Sequence, residues 1–245
     1  MLRDEEADVL EPPDLNSSPL FAALMDQVDK IEHENGCVEG YINWQGVLNN
    51  AYRLRGEKLF LDMVTEPERA RHVFNCVATT MIDGARNLYE RQRMTGVEVC
   101  HFTISNCMVN MISPEHYRQF LLPFDRCISE TFGLIGVHNC AWCADPYMGH
   151  YATIPNVGYV DMGVDSNLPH ARDCFPNTRR AIMYTPMDVA NKTSALLKND
   201  LERIARDYGP CDLVFADIEA GTPDPRVMEL VKLCAEISER MERGC

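Results

Sequence analysis

Basic residues are scarce in this chain: 23 Lys and Arg stand against 37 Asp and Glu over 245 residues. Negative charge in excess repels nucleic-acid phosphates and anionic lipid surfaces, which argues against nucleic-acid and membrane partners. Long apolar runs are missing as well, and nothing approaches the about 18 uninterrupted apolar residues of a membrane span. The N-terminus, Met1-Leu2-Arg3-Asp4-Glu5-Glu6-Ala7-Asp8, lacks the basic start and apolar core of a secretory signal. A Gly-x-Gly-x-x-Gly turn behind a strand is absent too, which counts against a dinucleotide-binding sheet. The 11 cysteines are odd in number and scattered, unlike the disulfide framework of a small secreted domain. These absences together lead us to expect a cytoplasmic protein with reduced thiols.

What is present reads as alternating strands and helices. Residues 1–20, acidic and carrying Pro12-Pro13 and Ser17-Ser18 without apolar periodicity, are expected to form a flexible arm ahead of a single domain at 21–245. Three helix starts stand out. Thr65-Glu66-Pro67-Glu68 has the pattern of a capping box, followed at helical spacing by Ala70, Val73, Phe74, Val77, Met81, Ala85 and Leu88. Ser113-Pro114-Glu115 and Thr222-Pro223-Asp224 start two more, each with proline where its missing N–H costs nothing. Strands are expected near 36–43, 97–104, 133–138, 157–162, 180–185 and 212–217. Runs such as Leu213-Val214-Phe215-Ala216 suit strands covered on both faces of a parallel sheet. The fold class expected is α/β of the (β/α)8 barrel type, incomplete, with about six βα units in this chain.

In a parallel barrel the C-terminal strand ends converge on one mouth, where such folds carry their chemistry. Here those ends read Ser105-Asn106-Cys107, His138-Asn139-Cys140, Asp161, Tyr184-Thr185, and Asp217 with Glu219. Asp and Asn also serve there as turn formers and caps, so Asp161 and Asn106 have a purely structural alternative. His138 and Cys140 offer an imidazole and a thiolate two residues apart, both good zinc ligands, and a zinc site needs a third. Cys143, Asp217 and Glu219 compete for that position.

The segment Ile112-Ser113-Pro114-Glu115-His116-Tyr117-Arg118-Gln119-Phe120-Leu121-Leu122-Pro123-Phe124 resembles one found in the uroporphyrinogen decarboxylase-like superfamily. His138-Asn139-Cys140 is similar to the His-x-Cys of that superfamily's methylcobamide:thiol methyltransferase branch. Gly221-Thr222-Pro223-Asp224-Pro225-Arg226-Val227 resembles the start of its last helix, and the likeness covers roughly residues 40–240. The resemblance implies zinc as the metal, a methylcobamide supplied by a partner corrinoid protein, and a small-molecule methyl acceptor. From their strand positions, Asn106, Asp161 and Tyr184 are expected to shape the pocket around that acceptor. Where that branch has a ligand cysteine before the last helix, this chain has Ala216-Asp217-Ile218-Glu219. The family usually has two more βα units ahead of this region, so the expectation is either that the chain is a fragment, or that a partner or a second copy in a homo-oligomer covers the exposed sheet edges. Two other functions stay open: decarboxylation of a tetrapyrrole, and a non-catalytic or fragmentary barrel subunit. The arginine-rich Gln-Ala-Gly-Arg-Tyr segment of true uroporphyrinogen decarboxylases has no counterpart here.

Overall fold

The computed structural model describes residues 1–243. In chain order it contains α1 (Asp4–Asp8), α2 (Pro19–Asn35), β1 (Trp44–Gln45), α3 (Val47–Arg55), α4 (Lys58–Thr65), α5 (Pro67–Met94), β2 (Phe102–Ser105), α6 (Pro114–His116) and α7 (Leu122–Phe132). There follow β3 (Ile135–His138), α8 (Asp145–Tyr151), β4 (Val157–Gly163), α9 (Leu168–Cys174), β5 (Arg179–Tyr184), α10 (Pro186–Asn191), α11 (Ser194–Tyr208), β6 (Asp212–Phe215) and α12 (Asp224–Arg243). The six strands keep their sequence order in the sheet, β1 to β6. The pairs β1–β2, β4–β5 and β5–β6 are parallel. A parallel strand can be reached only by a crossover, which the intervening helices provide. This is the α/β architecture of an incomplete (β/α) barrel. No described helix is long and apolar enough to cross a membrane.

Where the sequence suggests one domain, contacts divide the chain into two compact units. The first is Met1–Ile135 with Ile154–Asn156, and the second is Gly136–Thr153 with the chain from Val157 on. In the first, α5 carries the long apolar stripe, and Ala70, Val73, Phe74, Val77, Met81, Ala85 and Leu88 are all buried. Ring stacking of Trp44 on Phe102 and of Phe102 on Phe132 joins β1, β2 and α7. In the second unit, β4, β5 and β6 run in register with Asp161 beside Ala181 and Ile182 beside Leu213.

Several local expectations change. Residues 1–20 are helical in part and seated rather than loose. Asp4 pairs with the buried Arg55 at 2.6 Å, Asp8 with Arg69 at 2.6 Å, and Ala7 is fully buried. Their charge supplies the docking: Arg55 needs Asp4 and Asp62 (2.7 Å) to be tolerated out of water. The Thr65 capping box does not form. Thr65 is the last residue of α4 and its hydroxyl donates back to the Leu61 carbonyl, while Pro67 opens α5. Ser113 does cap α6, accepting the His116 N–H at 3.1 Å. The helix then widens into a π turn over Tyr117–Leu121 just ahead of Pro123. Proline removes a hydrogen bond and crowds the carbonyl one turn back, and a wider turn relieves both. The first strand lies at Trp44–Gln45, after the expected 36–43.

Candidate metal centre

The second unit builds its polar cluster where β3 ends. Ile135, Gly136 and Val137 are buried, His138 is partly exposed, and the chain then turns out of the sheet. Asn139 enters the protein with no exposed surface, whereas Cys140 has φ of 55°. A left-handed conformation costs a non-glycine residue roughly 1–2 kcal/mol, so packing and hydrogen bonds must hold Cys140 there.

Asp161, on β4 and only 1% exposed, organises this turn. Its Oδ2 lies 2.6 Å from His138 Nδ1 and accepts from the Tyr159 hydroxyl at 3.0 Å. Its Oδ1 accepts the Asn139 backbone N–H at 2.7 Å, and its own carbonyl accepts from Asn139 Nδ2 at 2.8 Å. The remaining amide oxygen of Asn139 accepts from Tyr151 at 2.8 Å. An ionised carboxylate only accepts, so the proton between Asp161 and His138 belongs on Nδ1, leaving Nε2 its lone pair. Cys140 Sγ lies 3.2 Å from that Nε2. Burial and the neighbouring Asp161 charge push the Tyr159 phenol well above its ordinary range, so it stays a donor.

The loop after His138 is tied to the loop after β4. Gly163 N–H donates to the Trp142 carbonyl at 2.9 Å, Ala144 N–H to Ser166 Oγ at 3.1 Å, and Asn167 N–H to Asp145 Oδ1 at 2.7 Å. Position 163 has to be glycine, because any Cβ there would overlap the Ala141 carbonyl.

A separate polar cluster lies in the first unit, at the exit of β2. Asn106, 1% exposed, donates from Nδ2 to Asp125 Oδ2 at 3.1 Å, and the Tyr117 hydroxyl donates to the same oxygen at 2.6 Å. Burial pushes the Asp125 carboxyl up to about 7, against the lowering effect of the Tyr117 and Asn106 hydrogen bonds. Asn106 fits because residue 46 is glycine: a Cβ at Gly46 would come within 2.6 Å of Asn106 Oδ1 and 2.8 Å of the Ser105 carbonyl. Cys107, next along, is partly exposed.

His138 and Cys140, the two ligand types that the sequence singles out, lie side by side at the exit of β3 in the second unit. An imidazole and a thiol are donors of the kind zinc takes. Cys143, Asp217 and Glu219, offered by the sequence for the third position, are exposed. Asp217 follows β6 in a left-handed turn, with φ of 54°, and the Glu219 carbonyl is engaged by the Thr222 N–H. Tyr184 has its hydroxyl engaged within the second unit. It is buried against Phe215 and donates to Asp200 of α11 at 2.7 Å, which joins β5 to that helix.

Sequence reasoning missed Asn139, Tyr151, Tyr159, Asp125 and Tyr117. One signal was available for Asp125: it sits three residues from both Leu122 and Ile128, on the buried stripe of α7. An acid in that place has to be held by partners.

Comparison with known proteins bears on the fold. A solved methyltransferase from Methanosarcina mazei is similar to this chain with a TM-score of 0.65 and 14% identity, over 93% of this chain and 70% of that one. No protein-family model and no curated protein matches the sequence. At this identity the likeness establishes the shared α/β fold.

Proposed function

We propose that this chain is a methyl-transfer enzyme of the uroporphyrinogen decarboxylase-like superfamily, with His138 and Cys140 holding a zinc ion. One observation supports the reading most directly. Buried Asp161 fixes the Nδ1 of His138, and Nε2 is presented 3.2 Å from the sulfur of a conformationally strained cysteine. A carboxylate behind a ligating imidazole is the usual support of zinc-bound histidine, setting both tautomer and ring orientation. Strain of the Cys140 kind concentrates at functional positions. The sequence resemblance and the methyltransferase among the structural neighbours agree with it.

When bound, zinc supplies a positive charge that keeps an acceptor thiol ionised at neutral pH. The other roles belong to the chain. Asp161 keeps the proton of His138 on Nδ1, Asn139 clamps Asp161 from both sides, and the 163–167 loop holds the 141–145 loop in place. In the first unit, Asn106 and Asp125 fix the exit of β2. The methyl group comes from a corrinoid carried by a partner protein, and the acceptor is a small thiol.

Elemental analysis of the purified protein tests the metal assignment. Zinc at about one per chain is expected, and its loss in His138→Ala and Cys140→Ser with unchanged circular dichroism. A folded protein that takes up no zinc under reducing conditions overturns the reading. Loss of the cobalt–carbon absorbance of methylcobalamin in the presence of a small thiol, dependent on His138, tests the reaction.

A further inference from the structure

The first unit contains a cavity of about 740 Å³ bounded by the segment ahead of α2, β1, α3 and α5. Phe21, Leu24, Trp44, Val77 and Met81 give it an apolar wall. Small-molecule sites commonly occupy roughly 300–1,000 Å³ and combine such walls with a few polar groups that fix orientation. Here the charged lining residues are Glu11 and Arg53.

Arg53 is the informative one. It is exposed and, among the described residues, its guanidinium makes no ion pair or hydrogen bond. Its neighbours Arg55 and Arg69 are both held by carboxylates. In a chain of net charge −14, an arginine without a carboxylate is unusual, whereas an unpaired acid such as Glu11 is ordinary. An apolar cavity with an unengaged guanidinium at its edge is complementary to an anion bearing an apolar body, because the planar fork pairs with carboxylate and phosphate alike.

We propose that this cavity is a binding site for an amphipathic organic anion, with its apolar body against Trp44 and Met81 and its carboxylate or phosphate head on Arg53. It shares no residue with the cluster around His138 and does not depend on the metal assignment.

Trp44 lies on the wall and can report occupancy once the other tryptophan is removed as Trp142→Phe. In that background, intrinsic fluorescence is titrated with decanoate, decyl phosphate, decanol and decylamine, each below its aggregation threshold. Saturable binding of at least one anion is expected, with decanol weaker and decylamine weakest, and the relative affinities of decanoate and decyl phosphate identify the head group. Arg53→Gln should weaken the anion about tenfold and leave decanol unchanged. Gly84→Leu should abolish binding of all four ligands. A Cβ at Gly84 meets nothing closer than the Trp44 ring at 4.0 Å, and leucine is a better helix former than glycine, so α5 should persist. Absence of saturable binding, equal affinity for decanoate and decanol, an Arg53→Gln variant that binds the anions normally, or unchanged binding in Gly84→Leu would each overturn the proposal.

Discussion

Replacing Asp161 by asparagine changes one oxygen into an amide nitrogen and disturbs every contact that orients His138. The carboxylate serves three donors: His138 Nδ1 and the Tyr159 hydroxyl on Oδ2, and the Asn139 N–H on Oδ1. An amide keeps one acceptor, so in either orientation its NH2 faces a donor inside the protein. If the nitrogen faces Asn139, a buried backbone N–H loses its partner. If it faces His138, the imidazole proton moves to Nε2 and points toward Cys140. An unsatisfied buried donor costs about 1–3 kcal/mol, and with the charge-assisted bonds also lost the total is about 2–4 kcal/mol. With a urea dependence of about 1–3 kcal/mol/M, the unfolding midpoint should fall by roughly 1–2 M. Trp142 fluorescence in a Trp44→Phe background reads this in the unit that contains Asp161. Zinc affinity, measured by chelator competition, should drop about 10–100-fold, the usual effect of losing the group behind a ligating histidine. Nitrogen-15 shifts of the His138 ring report the tautomer directly. An Asp161→Asn protein with the wild-type midpoint, zinc affinity and Nδ1–H tautomer would refute the account of the site.

Three further outcomes are expected. Asp125→Asn should stabilise the protein above neutral pH and lose that advantage in acid. The folded-state value of about 7 lies above the ordinary aspartate value of about 3.9, so wild-type stability declines as pH rises between the two. The full difference is about 4 kcal/mol at pH 8, and urea midpoints for both proteins at pH 4.5 and 8 measure it. Gly163→Ala should destabilise by about 3 kcal/mol, because the methyl group overlaps the Ala141 backbone carbonyl and neither loop can yield alone. Thermal unfolding that matches wild type would show that the 141–145 loop does not lie against β4. Cys140→Gly should raise stability of the metal-free protein by about 1 kcal/mol by relieving the left-handed strain, while losing zinc; Cys140→Ala should lose zinc without the gain.

Much of the candidate site is visible in residue order, and part of it is hidden for a definable reason. His138 and Cys140 stand out because two ligand types sit two apart where a strand runs out, a local pattern. The function of Asp161 is not local. Its partners His138 and Asn139 are 23 and 22 residues earlier in the chain, and only the packing of β3 near β4 selects it over any other strand aspartate. Tyr184 shows the converse: the same strand-end argument places it at a pocket, yet Asp200 on α11 takes its hydroxyl. Cys143, Asp217 and Glu219 have suitable chemistry at suitable strand ends, and each lies in an exposed loop.

By itself the sequence determined the alternation of strands and helices, the apolar stripe of α5, the cap at Ser113 and the α/β class, because each depends on short-range periodicity and terminal chemistry. Tertiary structure decided which polar groups became structural and which were left to bind. Residues 1–20 look solvated until Arg55 and Arg69 give their acids a place to dock. Hydrogen bonds to buried groups are settled only when distant segments meet, since the cost of leaving such a group unpaired arises only once water has been removed from it.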